Sequence, residues 1–246
     1  MSNKVITAAI LIIGNEILSG RTQDINIQFL GQELVKKGIC LKEVRIVPDI
    51  EEAIVEAVNK LRSQFDYIFT TGGIGPTHDD ITTACISKAF DVKVVRHPVA
   101  EALLLERYKP EDVNEARMKM ANVADGATLI ENPISVAPGY RIENVFVMAG
   151  VPRIMQAMFD CIKDDLNGGK QVLSKSIEAH VHEGALAGQL EKIQDNHPDV
   201  DIGSYPFFRE GKLGTCLVVR SSNKTKLDVA VDVIDTLLSD ISANSS

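Results

Sequence analysis

An apolar run at residues 6–13 lies between Lys4 and Gly14-Asn15-Glu16. A run without polar alternation predicts a parallel strand covered on both faces. Ile25, Phe29, Leu30, Leu34 and Val35 then recur at helical spacing, and Gly38 suits the helix stop. Residues 41–47 predict a second strand. Asp49 with Glu52 three positions on has the form of a capping box, and Ile50, Ile54, Ala57, Val58 and Leu61 give the next helix its apolar stripe. Residues 67–71 predict a third strand that runs directly into a glycine-rich loop, and a helix is expected over 81–90. This strand–helix alternation predicts a parallel sheet with helices on both faces. Further on, a short strand is expected at 92–95 and helices at 99–108 and 111–122, separated by Pro110. A hairpin over 139–148 turns at Glu143-Asn144, and a helix opens at Pro152 and runs to about 166.

The pattern changes after residue 166. Asn167-Gly168-Gly169-Lys170 reads as an exposed linker, open to proteolysis. Ile177, Ala179 and Val181 alternate with Glu178, His180 and His182, as in a half-exposed strand. A helix at 185–195, strands at 203–208 and 215–220 and a last helix at 227–241 complete a β-α-β-β-α order. The expected architecture is a three-layer α/β/α domain with a mostly parallel sheet over 1–166 and a small α+β domain over 171–246.

Composition narrows the function. The formal net charge of −8 argues against broad nucleic-acid binding, which usually needs a basic face. It leaves room for a small anionic ligand held by a local field. Cys40, Cys85, Cys161 and Cys216 form no C-x-x-C pair and each sits in an apolar run, so buried thiols in a reducing compartment are expected. The run at 6–13 is too short for a membrane span and has no cleavage signal after it. A cytoplasmic protein without membrane contact is expected.

The chemistry concentrates in Thr71-Gly72-Gly73-Ile74-Gly75-Pro76-Thr77-His78-Asp79-Asp80. At the carboxyl end of a parallel strand this loop stands where open α/β sheets bind ligands. Glycines let the backbone approach a phosphate and turn several N–H groups toward it, and a helix starting near Asp80 adds positive potential. A tight strand-to-helix turn explains the same glycines, since the loop lacks both the P-loop lysine and the dinucleotide spacing. The other predicted strands end in Gly14-Asn15-Glu16 and in Val47-Pro48-Asp49, so Glu16, Asp49 and Asp80 share one sheet edge. Carboxylates beside a pyrophosphate repel it unless a divalent cation (Mg, Mn or Co) stands between them. Helix capping is the plainer role for Asp49 and Asp80.

Thr-Gly-Gly-x-Gly-Pro-Thr-x-Asp-Asp after a strand resembles the molybdopterin-binding domain shared by MoaB/Mog and CinA proteins. Gly14-Asn15-Glu16-Ile17-Leu18-Ser19-Gly20, residues 24–29 and the stretch 132–139, ending in Ala137-Pro138-Gly139, are similar to the CinA branch. His182-Glu183-Gly184 and Gly203-Ser204-Tyr205-Pro206 resemble the small domain that follows in CinA-like proteins and in some FAD synthases. The resemblance implies a fold that often forms homo-oligomers. It also implies a phosphate-binding site built from Gly14, Asn15, Glu16, Thr71, Gly72, Gly73, Gly75, Thr77, Asp79, Pro138, Gly139 and Gly150. In the Mog branch the glycine loop binds the pterin phosphate, and aspartates matching Asp49 and Asp80 serve adenylyl transfer and metal binding. The CinA branch is associated with metal-dependent hydrolysis of ADP-ribose or related pyrophosphates. On this resemblance Asp80 and Asp49 are the catalytic candidates, and Asp80, Asp49 and Glu16 the metal candidates. The CinA deamidase domain is not expected within these 246 residues. One departure stands out: the family's late Pro-Gly-x-Pro loop reads Ala149-Gly150-Val151-Pro152 here, followed by Arg153 in place of an acidic residue.

Three functions follow: a metal-dependent nucleotide pyrophosphatase, a molybdopterin-binding or adenylyl-transferring protein of molybdenum-cofactor synthesis, and a nucleotide- or pterin-binding module without chemistry. His78 either contacts a phosphate or is a solvated loop residue. His180 and His182 share one face of the expected strand at metal-compatible spacing, without an identifiable third ligand. Arg141 and Arg153 are expected mainly in surface ion pairs.

Overall fold

The computed structural model describes residues 5–170, 172–209 and 211–244. It divides into two compact units, residues 1–169 and 170–246. The first begins with β1 (Ile6–Ile13), the one-turn α1 (Asn15–Leu18), α2 (Asn26–Lys36), β2 (Ile39–Val47), α3 (Glu51–Gln64), β3 (Tyr67–Thr71) and α4 (Thr82–Ala89). There follow β4 (Val94–Arg96), α5 (Pro98–Arg107), α6 (Glu115–Met118), β5 (Asn122–Ala124), β6 (Thr128–Ile130), β7 (Gly139–Ile142), β8 (Val145–Met148) and α7 (Pro152–Ile162). Six of these strands form one sheet in the order β2-β1-β3-β8-β7-β6. β2, β1, β3 and β8 are parallel; β7 runs antiparallel to β8 and to β6. The fold is a three-layer α/β arrangement with a mostly parallel sheet.

The period of two along β1 divides the core. Ala9, Leu11 and Ile13 face α3 and α4, where Ile54, Val58, Leu61, Cys85 and Ile86 are buried with them. Ala8, Ile10 and Ile12 face α2 and α7, packing with Leu30, Leu34, Met155, Met158 and Phe159. Both sets are fully shielded from water, which is why this strand shows no polar alternation. On α7, Met155, Met158, Phe159 and Ile162 fall at i, i+3, i+4 and i+7, the spacing of a single buried stripe.

Several expectations are corrected. The short strand near 92–95 is β4, and it pairs with β5 in a separate two-stranded sheet. The single helix expected over 111–122 is broken into a 3-10 turn at Pro110–Asp112, α6 and a second 3-10 turn at Lys119–Ala121. Asn114 restarts the helix by accepting from the Arg117 N–H, so the chain leaves and re-enters helical geometry there. The cysteines are not uniformly buried: Cys85 is, Cys40 and Cys216 are half-buried, and Cys161 is exposed on the outer side of α7. The 167–170 segment is exposed in part but tied down. Gly169 N–H donates to Gly38 O at 3.2 Å, and Asn167 N–H donates to the Tyr67 hydroxyl at 3.0 Å.

The second unit comprises β9 (Leu173–Ala179), α8 (Glu183–Asn196), β10 (Asp201–Arg209), β11 (Lys212–Ser221) and α9 (Lys224–Asn244). The sheet order is β10-β11-β9, all antiparallel. Leu217 and Val219 of β11 pack against Leu186, Leu190 and Ile193 of α8 and Leu227, Ala230 and Ile234 of α9. β9 stops at Ala179, so His180 and His182 share no strand face. His180 instead lies edge-on to Phe207, and His182 is the residue preceding α8. Among the described residues no helix is long and apolar enough to cross a membrane.

One glycine locks the strand ends together. Gly72 follows β3 with φ +103°, and a Cβ there would lie 2.1 Å from the Ile13 carbonyl oxygen. Gly126 also has positive φ (+80°), but a Cβ there would meet nothing within 4 Å. Gly126→Ala should therefore show only the conformational cost, about 1 kcal/mol or roughly 2–4 °C in Tm. Gly72→Ala adds a backbone collision and should lower Tm by at least about twice as much. Equal Tm values for the two variants in a thermal melt would show that the Ile13–Gly72 contact is dispensable.

The thiols offer a second check. Burial pushes the Cys85 thiol up to about 11, whereas Cys161 is open to reagent. Maleimide labelling at pH 8 followed by peptide mapping should modify Cys161 first and Cys85 only on unfolding, because the thiolate is the reactive form. Early labelling of Cys85 would mean that the sheet–α4 core opens readily.

Candidate functional site

β1, β3 and β8 end level with one another, since Ile12 pairs with Thr71 and Thr71 with Met148. Gly14, Gly72 and Ala149 therefore leave the sheet side by side at its carboxyl edge. Gly72 N–H donates to Met148 O at 3.2 Å, which removes it from the set of amides open to a ligand. A Cβ on Gly150 would stand 3.2 Å from the Gly72 Cα, so the 149–152 loop rests directly on the glycine loop. Asn26 holds it there: its Nδ2 donates to Gly150 O at 2.8 Å, and its Oδ1 is buried without a partner among the described residues.

α4 shapes the glycine loop. Thr82, fully buried, donates from its hydroxyl to Gly72 O at 2.9 Å and from its N–H to Gly73 O at 3.0 Å. A Cβ on Gly73 (φ +68°) would lie 2.1 Å from the Thr82 hydroxyl oxygen, so glycine is required. Ile74 anchors the loop by packing at both core clusters. With the two carbonyls engaged, no acceptor among the described residues takes the N–H groups of Gly73, Ile74 and Gly75. Three consecutive open amides are the ingredient of an anion cradle.

The acidic end of the loop is ordered differently from expectation. The helix starts at Thr82, and Asp80 does not cap it. Asp80 Oδ2 accepts from the Thr77 N–H at 2.8 Å and from the Thr77 hydroxyl, closing a tight turn. Thr77, the Asp79 backbone and the nearby His78 and Lys119 hold the exposed Asp79 carboxyl below the usual carboxylate range. Lys119 reaches across from its 3-10 turn and donates to Thr77 O at 2.6 Å.

Nor does Asp49 cap its helix: Ile50 occupies the N-cap position and no side-chain cap bond forms. Asp49 Oδ2 accepts from the Asn15 N–H at 2.9 Å and so ties the end of β2 to the end of β1. The Glu16 carboxylate folds back over Gly14, within 2.6 Å of where a Cβ would be. Glu16, Asp49 and Asp80 thus belong to loops at one edge. Among the described residues, however, no three His, Cys, Asp or Glu side chains stand together as a metal-binding group.

On the far side, Pro138 and Gly139 lead into β7. Gly139 is a packing glycine, since a Cβ would meet Val147 O at 2.4 Å. The loop before it is organised by Asn132, whose Oδ1 accepts from the N–H groups of Ile134 and Ser135 and whose Nδ2 donates to Ser135 and Ala137. Val136 in that loop sits at φ +72°, a strained value for a β-branched residue. Arg141 contacts the Glu143 carbonyl and stacks on Phe146, and Arg153 has no ion-pair partner among the described residues, contrary to the expected surface bridging. Thr82, Asn26 and Lys119 escape the sequence reading. Thr82 lies inside an expected helix and Lys119 is forty-two residues from its partner, so neither gives a local signal.

The family described as "Probable molybdopterin binding domain" matches residues 9–167, and "FAD synthase, middle domain" matches residues 171–245. A CinA-like protein of Gloeobacter violaceus is 31% identical over 88% of this chain and 53% of its own. A probable FAD synthase of Caenorhabditis briggsae is 29% identical over 94% of this chain and 49% of its own. The chain thus spans about half the length of each. The crystal structure of a CinA of unknown function from Thermoplasma acidophilum is 31% identical, with a TM-score of 0.62 over 67% of this chain and 99% of that one. A sheet edge built around the Gly72–Gly75 loop, carried by a sequence matched across 9–167, places this chain in the molybdopterin-binding-domain family, on its CinA-like side.

Proposed function

We propose that the carboxyl edge of the first unit binds a small ligand carrying a pyrophosphate, of the ADP-ribose class, and hydrolyses it with a divalent cation. The observation that carries the reading is the run of open amides at Gly73, Ile74 and Gly75 beside Asp79 and Asp80. In this reading those amides hold a phosphate. The backbone of Gly14, Asn15 and Gly150 and the Pro138-Gly139 turn wall the site, and Thr71 and Thr77 set the two ends of the loop.

The candidate ligands for the cation are all oxygens, from Asp80, Asp49 and Glu16, which suits Mg or Mn better than a soft metal. No three of them converge among the described residues, so a cation held here would need further oxygens from the ligand or from water. When bound, the cation offsets charge on the pyrophosphate oxygens. Asp80 commits Oδ2 to Thr77, which leaves Oδ1 to orient a water for attack. The water oxygen joins phosphorus and releases its proton to solvent, while the bridging P–O bond breaks and the bridging oxygen leaves with the second phosphate. Thr82 already engages the Gly72 and Gly73 carbonyls, so the loop needs no rearrangement of them to receive a phosphate. A pterin phosphate is the second reading, favoured by the description of the matching family.

A screen of ADP-ribose, FAD, NAD and molybdopterin with Mg²⁺, Mn²⁺ and Co²⁺ tests the proposal. At least one pyrophosphate should be hydrolysed. If the protein binds these compounds but cleaves none with any metal, the hydrolase reading fails and a binding module replaces it. In a ligand-bound structure, a phosphate should sit within about 3 Å of one or more amides of Gly73–Gly75. A bound phosphate placed elsewhere on the domain sinks the cradle.

Asp80→Asn keeps an acceptor for Thr77 but removes the charge. It should cut kcat by roughly a hundredfold, on the scale of losing one strong electrostatic contact, with little change in Tm. Asp79→Asn, at a carboxylate without a structural bond to Thr77 N–H, should cost less. Full turnover in Asp80→Asn would exclude the role given to Asp80.

A further inference from the structure

The glycine loop has a charge problem. Asp79 and Asp80 follow the open amides directly, and the whole chain carries a formal net charge of −8. Backbone amides offer only partial positive charge, so a doubly charged phosphate approaching this loop meets carboxylate repulsion that the amides alone offset poorly. The loop contains no lysine or arginine, only His78.

The tertiary structure supplies a cation from elsewhere. Lys119 Nζ donates to the Thr77 carbonyl at 2.6 Å and has no carboxylate at ion-pair distance among the described residues. Lys36, Lys37, Lys88 and Lys163, by contrast, each hold an acidic partner. The backbone that carries Lys119 is anchored on both sides: Met118 and Ala121 are buried with Ala100 and Leu104 in a small core of their own. The stem is therefore fixed while the ammonium rests on a neutral acceptor. A lysine on a carbonyl is weakly held compared with a lysine on a phosphate, where the hydrogen bond is charge-assisted at both ends. An ammonium without a carboxylate at ion-pair distance, resting on a loop with three amides that lack acceptors among the described residues, supplies complementary halves of an anion site. Lys119 faces the Thr77 carbonyl and the nearby Asp79 carboxylate.

We propose that Lys119 is the phosphate-binding cation of the glycine loop. On ligand entry Nζ exchanges the Thr77 carbonyl for a phosphate oxygen, and the added point charge makes the site prefer a pyrophosphate-bearing ligand to a bare nucleoside or pterin. This rests on the phosphate site proposed above. Lys119 acts by binding and carries no proton or bond change.

Calorimetric titration of the full chain with ADP-ribose, inorganic pyrophosphate and adenosine, each with Mg²⁺, tests it in wild type, Lys119→Gln and Lys119→Arg. Glutamine removes the charge and keeps a hydrogen-bond donor, and thermal melts should show little change at this exposed tie. Lys119→Gln should bind ADP-ribose and pyrophosphate roughly ten- to a hundredfold more weakly, the worth of one charged hydrogen bond, with a shallower dependence on salt. Lys119→Arg should stay within about threefold of wild type, because charge and donor are kept. Equal affinity of Lys119→Gln and wild type overturns this inference and leaves the phosphate site standing. Equal losses in the Gln and Arg variants overturn it too, since the lysine then acts through loop shape. If wild type binds neither ADP-ribose nor pyrophosphate, the phosphate site fails and Lys119 fails with it.

Discussion

The Ile13 carbonyl occupies the space that any side chain at position 72 would need. Around that contact the ends of β1, β3 and β8 close to van der Waals distance, with Gly150 seated on Gly72 in turn. Nothing larger than hydrogen is accommodated at the meeting point, so at Gly72 the edge of the sheet presents backbone alone. Main-chain N–H groups are thereby brought within reach of a ligand that bulky side chains would hold off. The same closeness explains the supporting bonds. Thr82 takes up the carbonyls of Gly72 and Gly73, Asn26 that of Gly150, and Asp49 the Asn15 N–H. Each bond satisfies a backbone group that strand pairing no longer serves beyond the sheet.

Electrostatics then decides what such an edge is suited to. The edge carries Glu16, Asp49, Asp79 and Asp80, and Thr77, the Asp79 backbone and the neighbouring His78 and Lys119 hold the Asp79 carboxyl below the usual carboxylate range. An edge with open amides and several carboxylates is frustrated toward a bare anion and well matched to an anion that arrives with a cation. Among the described residues no three of these carboxylates stand together as a metal-binding group. Strain is present as well: Val136, a β-branched residue in the left-handed region, lies in the loop that leads to Pro138 and Gly139.

The fold was largely legible because burial leaves a periodic trace. The β1 run, the helical stripes of α2 and α3 and the hairpin at Glu143-Asn144 all follow from local patterns that the core reinforces. The failures lie where local rules compete with tertiary contacts. Asp49-x-x-Glu52 has the spacing of a capping box, yet the Asn15 N–H, thirty-four residues away, takes the Asp49 carboxylate. Asp80 looks like a cap and instead folds back on Thr77. Residues 111–122 have helical periodicity, but Asn114 offers the backbone a fresh start that a continuous helix could not use. His180 and His182 alternate as strand residues should, but the strand has ended by Ala179.

By itself the sequence determined the layered α/β class, the change of character near residue 167 and the position of the glycine loop at a strand end. These depend on interactions among near neighbours in the chain and on the burial of repeating apolar positions. Only the tertiary structure decided which backbone groups of that loop remain open. Whether Gly72 N–H is free depends on Met148. The turning of the Gly72 and Gly73 carbonyls depends on Thr82, and the presence of a cation depends on Lys119. Hydrogen bonds of this kind join residues nine to seventy-odd positions apart, and they are set by how the strand ends and the segments around them come together in three dimensions. No periodicity in the chain encodes that meeting, so the amides available to a ligand could be counted only once the strands were side by side.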